Sequence, residues 1–251
     1  LYSTEMSSAL CSIDRVSASA NMNNRLSEAI VEAYKSTNGA PISFELMLKC
    51  YQSRMKDANN DDSISSVLKQ LVNAHIFESE DKVSLIDDSY IIKMDGYPKD
   101  GPIAKAIVYF LMSKLNNIYE LLDKQAVNDE VVQIRHFSII DEAHYMLDFD
   151  NRPLRNLIAV GRNKGLSIIL ATQNMSSFKS KGFDFYANAQ YPLIMKQQTI
   201  DDKVIKDLFG VSGQELQEIR TAIAGLQKGE LIIKDQMAFA LGMGNKVTHL
   251  I

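Results

Sequence analysis

The chain has 251 residues, 46% of them hydrophobic and 23% charged, with a formal net charge of −4. This is an ordinary globular mixture with enough apolar material for a sizeable core, so neither disulfides nor structural metal are needed for stability. No apolar run reaches the ~18 residues of a membrane span, no secretory signal opens the chain, and the mild acidity excludes a surface that binds nucleic acid throughout. Cys11 and Cys50 stand in unrelated contexts, without CxxC or Cys/His spacing. They read as reduced thiols in a reducing compartment, which makes the expected location cytoplasmic. Charge is uneven: residues 1–100 carry 10 Lys+Arg and 15 Asp+Glu, the remainder 17 and 16.

In chain order, residues 1–20 are rich in Ser and Ala and read as a weak helix or a tail. Asn24 to Lys35 reads as a helix with Leu26, Ile30, Val31 and Tyr34 on one side. The Thr37–Pro41 stretch stops one helix and starts another, because Gly ends helices and Pro suits a first turn. Phe44 to Met55 gives the second helix. Asn59 to Ser63 supplies cap chemistry for a third, whose stripe is Ile64, Val67, Leu68, Leu71 and Val72. Lys82–Asp87 and Tyr90–Met94 read as short strands, followed by the loop Gly96–Pro102. The next helix places Ile103, Ile107, Phe110, Leu111, Leu115, Ile118 and Leu122 on one face. Further strands are expected at Val131–Ile140, Leu166–Thr172, Ala189–Met195 and, as a pair, Glu230–Leu241. Further helices are expected at Pro153–Lys164, Asp201–Gly210 and Gln214–Ala224. Strands alternating with helices imply an α/β fold with a parallel sheet flanked by helices. The expected organisation is a helical subdomain over residues 1–86 and an α/β core over 87–251. Helix, turn, helix and two strands over 41–86 is also the order of a winged helix, but the acidic balance there favours an inserted subdomain making subunit or partner contacts.

The sharpest chemical feature is Phe137-Ser138-Ile139-Ile140-Asp141-Glu142-Ala143-His144. A buried strand ends abruptly in two acids, and ligands of open α/β sheets bind at the carboxyl ends of strands. Asp141 there can hold Mg²⁺, which takes oxygen ligands and keeps part of its water shell. Glu142, the next residue of the extended backbone, points to the other side and can orient or deprotonate a water attacking a γ-phosphate. This is similar to the Walker B box of a P-loop NTPase. An apolar strand also ends in acids simply where the chain reaches solvent, so the motif alone does not decide. A second element, Gly161-Arg162-Asn163-Lys164-Gly165 followed by an apolar strand and Ala171-Thr172-Gln173, puts a Thr-Gln tip at the same edge of a parallel sheet. Gln173 there can hydrogen-bond the water or the γ-phosphate as a sensor, and Thr172 stands beside it on the nucleotide side.

These motifs, with Tyr90–Met94 and its Gly-Pro loop and the late Gly225–Glu230 step into a strand, resemble the HerA/FtsK-type ATPases, including the VirB4-like branch, over residues 88–251. The resemblance implies a partial RecA-like P-loop NTPase core, with ATP and Mg²⁺ as cofactors. It implies ring assembly, as a hexamer, and movement of DNA or, in secretion systems, substrate transfer. Arg162 matches a family arginine that approaches a phosphate, often the neighbouring subunit's; a solvated helix-end cation is the equal alternative. Ala159 and Asn163 stand where basic residues are common in the family. Arg152 and Arg155 read as surface residues. No GxxxxGK[ST] occurs in the chain. With Leu1 in first position, this reads as a fragment whose phosphate-cradling loop lies upstream, inactive by itself.

Lys179 and Lys181 sit in a loop among Phe178, Phe185, Tyr186 and Tyr191, where they could touch a DNA backbone, although an ordinary mobile loop is favoured. Of the four histidines only His144 lies in a motif, as a structural or coupling contact and not a metal ligand. The eleven methionines read as core filler. The expected function is therefore an ATP-driven DNA motor. Its divergent, helix-inserted form resembles the ATPase subunit of phosphorothioation-dependent DNA restriction, with DNA and the other subunits of a restriction or DNA-processing complex as partners and no membrane contact. The alternatives are a non-catalytic assembly module, a type IV secretion-type ATPase, and a superfamily 2 helicase, which would need a Ser-Ala-Thr box and an arginine-rich motif not seen after Gln173.

Overall fold

The computed structural model describes residues 2–13, 18–38, 40–57, 61–76, 84–128, 131–180, 183–234 and 247–250. The chain divides into two compact units, one of residues 1–138 with 148–168, the other of 139–147 with 169–251. The segment predicted as a helical subdomain lies inside the first.

The first unit opens with four helices that pack in sequence: α1 Tyr2–Ile13, α2 Ala20–Ser36, α3 Phe44–Gln52 and α4 Ser63–Asn73. Helix α1 is neither weak nor a tail. Met6, Ala9, Leu10 and Ile13 form an apolar stripe at helical spacing, and all four are buried. Caps fix the starts of the others. The Ser19 and Ser43 hydroxyls accept from Met22 N and Leu46 N, and Asp62 and Ser65 form a reciprocal capping box. Asp62 also accepts from the buried Tyr51 hydroxyl at 2.6 Å and from Arg25 at 3.3 Å. Burial, then this carboxylate, push the Tyr51 phenol far above its ordinary range. On α2, Leu26 and Ile30 are buried as expected, whereas Val31 and Tyr34 are exposed. The buried face runs through Ala29 and Ala33 instead. No strand forms at 84–94; residues 85–87 turn and 89–94 run irregularly, with Tyr90, Ile91 and Ile92 exposed. Lys82 and Val83 lie outside the described residues. The winged-helix order thus lacks its strands among the described residues.

Helix α5, Pro102–Leu121, packs against α1 and α4 and against α7 further on. Its buried set is Ala104, Lys105, Ala106, Tyr109, Leu115, Asn116 and Tyr119, and of the predicted face only Leu115 is buried. A helix touched by three others is covered on more than one face, and small alanines permit the closest approach.

The expected long strand at 131–140 is broken. Strands β1 Val127–Asn128 and β2 Val131–Val132 pair antiparallel, and β3 spans His136–Ile140. After α6 (His144–Leu147) and α7 (Arg152–Val160), residues Gly161–Lys164 form a 3₁₀ turn, and β4 spans Leu166–Leu170. Lys164 Nζ donates to the carbonyls of Tyr119 at 2.6 Å and Glu120 at 2.9 Å. The basic turn thereby supplies a cation to the carbonyl end of α5. Strands β3 and β4 run parallel. Arg135 N and His136 N donate to Gly165 O at one end, and Ala171 N donates to Ile140 O at the other.

Gly165 opens β4 with φ +81°, and an added Cβ would stand 2.7 Å from Gln133 O and 3.1 Å from Arg135 N. Gly165→Ala is therefore expected to lower stability by about 2 kcal/mol, read by urea unfolding. On β3, the buried Nδ1 of His136 has no hydrogen-bond partner among the described residues, and burial lowers the imidazole pKa below 6.5. The unfolded chain then takes up the proton first. Stability is complete above about pH 6.5 and falls as pH drops through that value. The urea midpoint is expected to show this slope in the wild type and a flatter profile in His136→Phe.

The second unit continues from β4 through a 3₁₀ turn at Met175–Phe178 into β5 Lys179–Ser180, which pairs antiparallel with β6 Phe183–Asp184. The expected mobile loop is thus a short hairpin, with Lys181 and Gly182 outside the described residues. Rings hold its base: Phe183 meets Phe185 edge-on at 4.7 Å, and Phe178 meets Tyr186 at 6.2 Å. Helix α8 Phe185–Asn188 precedes the predicted 189–195 strand, whose first residues, 189–192, are irregular, so that it shrinks to β7 Leu193–Met195. Helices α9 Asp202–Phe209 and α10 Gly213–Gly225 follow, then β8 Leu231–Lys234 and β9 Val247–Leu250. The second half of the predicted 230–241 strand pair, residues 235–241, lies outside the described residues. Strands β7, β8 and β9 form an antiparallel sheet, in contrast to the parallel expectation. Its core gathers Ile194, Val204, Ile205, Phe209, Ile219, Ile223 and Ile232. The whole is mixed α/β with a small parallel sheet, the fold class the strand–helix alternation implied.

Candidate functional site

Strand β3 stops at Ile140, and Asp141–Ala143 form a turn, not extended backbone. Glu142 has φ +50°. This left-handed conformation is rare for a non-glycine residue and persists only where its surroundings fix it. Glu142 therefore does not alternate across an extended strand, as the sequence suggested; the turn redirects it. Two main-chain bonds pin the turn to the end of β4: Ala171 N donates to Ile140 O at 2.9 Å, and Ala143 N to Ala171 O at 2.8 Å. Asp141 Oδ1 accepts from Glu142 N at 2.9 Å.

This turn and the tip after β4 belong to the same unit, and their side chains meet. Gln173 Nε2 donates to Glu142 Oε1 at 2.6 Å. The other carboxylate oxygen, Oε2, lies 3.4 Å from His144 Nδ1, which is 3.3 Å from Thr172 Oγ1. Four side chains thus form one cluster at the carboxyl ends of the parallel pair: Glu142, His144, Thr172 and Gln173. Asp141 is exposed, and its Oδ2 meets no protein donor among the described residues. A single open carboxylate oxygen suits Mg²⁺, which is held through one or two carboxylates together with phosphate oxygens and water. Among the described residues no group of three or more His, Cys, Asp or Glu could hold a metal by itself.

Arg162 is exposed on the 3₁₀ turn that leads into the start of β4, in the other unit. Arg152 pairs with Glu5 at 2.9 Å, and Arg155 pairs with Asp150. Lys179 pairs through its backbone with Asp184, and Lys181 lies outside the described residues. Sequence reasoning set His144 aside from the chemistry. Its position three residues after Asp141, at the start of α6, was the signal that could have brought it in.

A parallel strand pair whose carboxyl ends carry an acidic turn and a Thr-Gln tip is the arrangement of a partial RecA-like α/β fold. The particular likeness is to the structure of VirB4 of Thermoanaerobacter pseudethanolicus, which this chain matches with a TM-score of 0.63, over 99% of its own length and 68% of that chain, at 16% identity. No protein-family model matches the sequence, and no curated protein does either. Among the described residues no helix is long and apolar enough to cross a membrane.

Proposed function

We propose that this chain supplies the water-activating half of an ATPase site in a motor that works on DNA. The observation that carries the reading is the 2.6 Å hydrogen bond between Gln173 and Glu142 at the carboxyl ends of parallel strands. It joins the two residues whose chemistry suits a water attacking a γ-phosphate. In this reading Asp141 holds Mg²⁺, Glu142 takes the proton of the water, Gln173 senses the phosphate, and Thr172 contacts the nucleotide. ATP and Mg²⁺ are the cofactors. The VirB4-like fold supports an ATPase-type core. The phosphate-cradling loop comes from outside residues 1–251.

Arg162 acts on a neighbouring subunit's nucleotide in a ring, a hexamer in this reading. A guanidinium suits the charge that develops on the γ-phosphoryl oxygens. Lys179, on β5, and Lys181 contact the DNA backbone. The protein works with other subunits of a DNA restriction or DNA-processing complex. A second reading, a non-catalytic assembly module, is favoured by one observation: no GxxxxGK[ST] occurs in the chain. Measuring Mg²⁺-dependent ATP turnover of the full protein, with and without DNA, separates the two. The motor reading expects turnover that rises with DNA; no turnover under either condition leaves the assembly module.

A further inference from the structure

We infer that His144 is a positioning residue that sets the direction of both Glu142 and the Thr172 hydroxyl. This rests on the ATPase reading and deepens it. The observation is a single ring nitrogen shared by two groups of the cluster: Nδ1 is 3.4 Å from Glu142 Oε2 and 3.3 Å from Thr172 Oγ1. A neutral imidazole carries one proton, on either Nδ1 or Nε2. A bare Nδ1 lone pair would face the carboxylate oxygen and be repelled by it. The proton therefore sits on Nδ1 and points at Glu142. Thr172 Oγ1 then accepts from the same N–H, so its own proton turns away from His144 and is free for a phosphate oxygen.

The ring itself is held. It lies against Tyr145, with centroids 4.0 Å apart, at the start of α6, whose Met146 and Leu147 are buried. The Glu142 carboxylate, carried on a left-handed backbone, is thus held from two sides, by Gln173 on one oxygen and His144 on the other. Both contacts come from groups placed by main-chain bonds between the turn and the end of β4. The proton-accepting oxygen is aimed before any substrate arrives, which is where a positioning residue contributes.

The test uses the full protein and two independent readouts. The first is ring NMR of ¹⁵N-labelled histidine, which reads which ring nitrogen carries the proton. The Nδ1–H tautomer is expected for His144, although free histidine favours Nε2–H, and Glu142→Ala should remove that preference. The second readout is ATP turnover. His144→Ala should lower kcat about 10-fold while KM for ATP moves by less than about 2-fold. An Asn amide reaches the place of Nδ1 and a Gln amide that of Nε2. His144→Asn should therefore restore kcat to within about 3-fold of wild type, and His144→Gln should not. An Nε2–H tautomer in the wild type, or equal rates for the Asn and Gln variants, overturns the inference. Loss of turnover in Glu142→Gln with full turnover in His144→Ala overturns it alone and leaves the ATPase reading standing. Unchanged turnover in Glu142→Gln overturns the ATPase reading, and the inference with it.

Discussion

Glu142→Gln is expected to lower ATP turnover of the full protein by about 10²- to 10⁴-fold, the contribution of a positioned general base. At 10³-fold this is about 4 kcal/mol of transition-state stabilisation. The substitution removes proton acceptance and keeps one of the two contacts that hold the side chain. A Gln amide oxygen can still accept from Gln173 Nε2, so the 2.6 Å contact at the cluster survives. The left-handed φ of +50° is a backbone property that Gln bears as well as Glu. What vanishes is the capacity to take a proton, together with the acceptor that faced His144 Nδ1. KM for ATP is accordingly expected to stay within about 2-fold, because nucleotide binding draws on other groups. Single-turnover assays with excess enzyme check this: a slow chemical step with normal binding is the predicted signature. Equal rates for wild type and variant would remove Glu142 from the mechanism.

The acidic turn and the Thr-Gln tip were legible because each is a local pattern at a strand end, and parallel pairing of two short apolar runs needs only their order. The left-handed backbone at Glu142 was not legible. Nothing in Asp141-Glu142-Ala143 marks a positive φ, which Gly or Asn would have signalled. Extended alternation was assumed there, and the strand ends one residue too soon for it. Helix α5 misled differently. Its aliphatic residues form a clear stripe, yet contact with three helices buries Ala104, Ala106 and Lys105 instead. Periodicity reports one apolar face and cannot say how many neighbours a helix will have. Residues 84–94 failed as strands because β-branched and aromatic content is only a preference for a pleated, half-buried surface. Tyr90, Ile91 and Ile92 have no partner strand among the described residues and lie exposed. The pairing of Lys105 with Asp148, 43 residues away, is a tertiary fact that no local pattern carries.

That pair gives the largest expected effect on stability. Lys105 is 1% exposed, and its Nζ donates to Asp148 Oδ2 at 3.0 Å and stands 5.9 Å from the Phe149 ring centre. A buried ammonium is tolerated because the carboxylate and the ring face offset its lost hydration. The two partners are not equivalent. The Asp148 side chain is 33% exposed, so water can solvate it if the lysine is removed. The ammonium has no such recourse if the aspartate is removed. Asp148→Ala is therefore expected to destabilise the protein by about 3 kcal/mol, the lower part of the range for stranding one charge of a buried pair. Lys105→Met keeps the length of the aliphatic stem and removes the charge that needs a partner, so it should cost less than about 1 kcal/mol. In the double variant Asp148→Ala with Lys105→Met no charge is stranded, and most of the loss should be recovered. Urea unfolding of the four proteins near pH 7 completes the cycle. If Asp148→Ala and Lys105→Met lose equal stability, or the double variant recovers nothing, the stabilisation comes from packing and not from the charge pair.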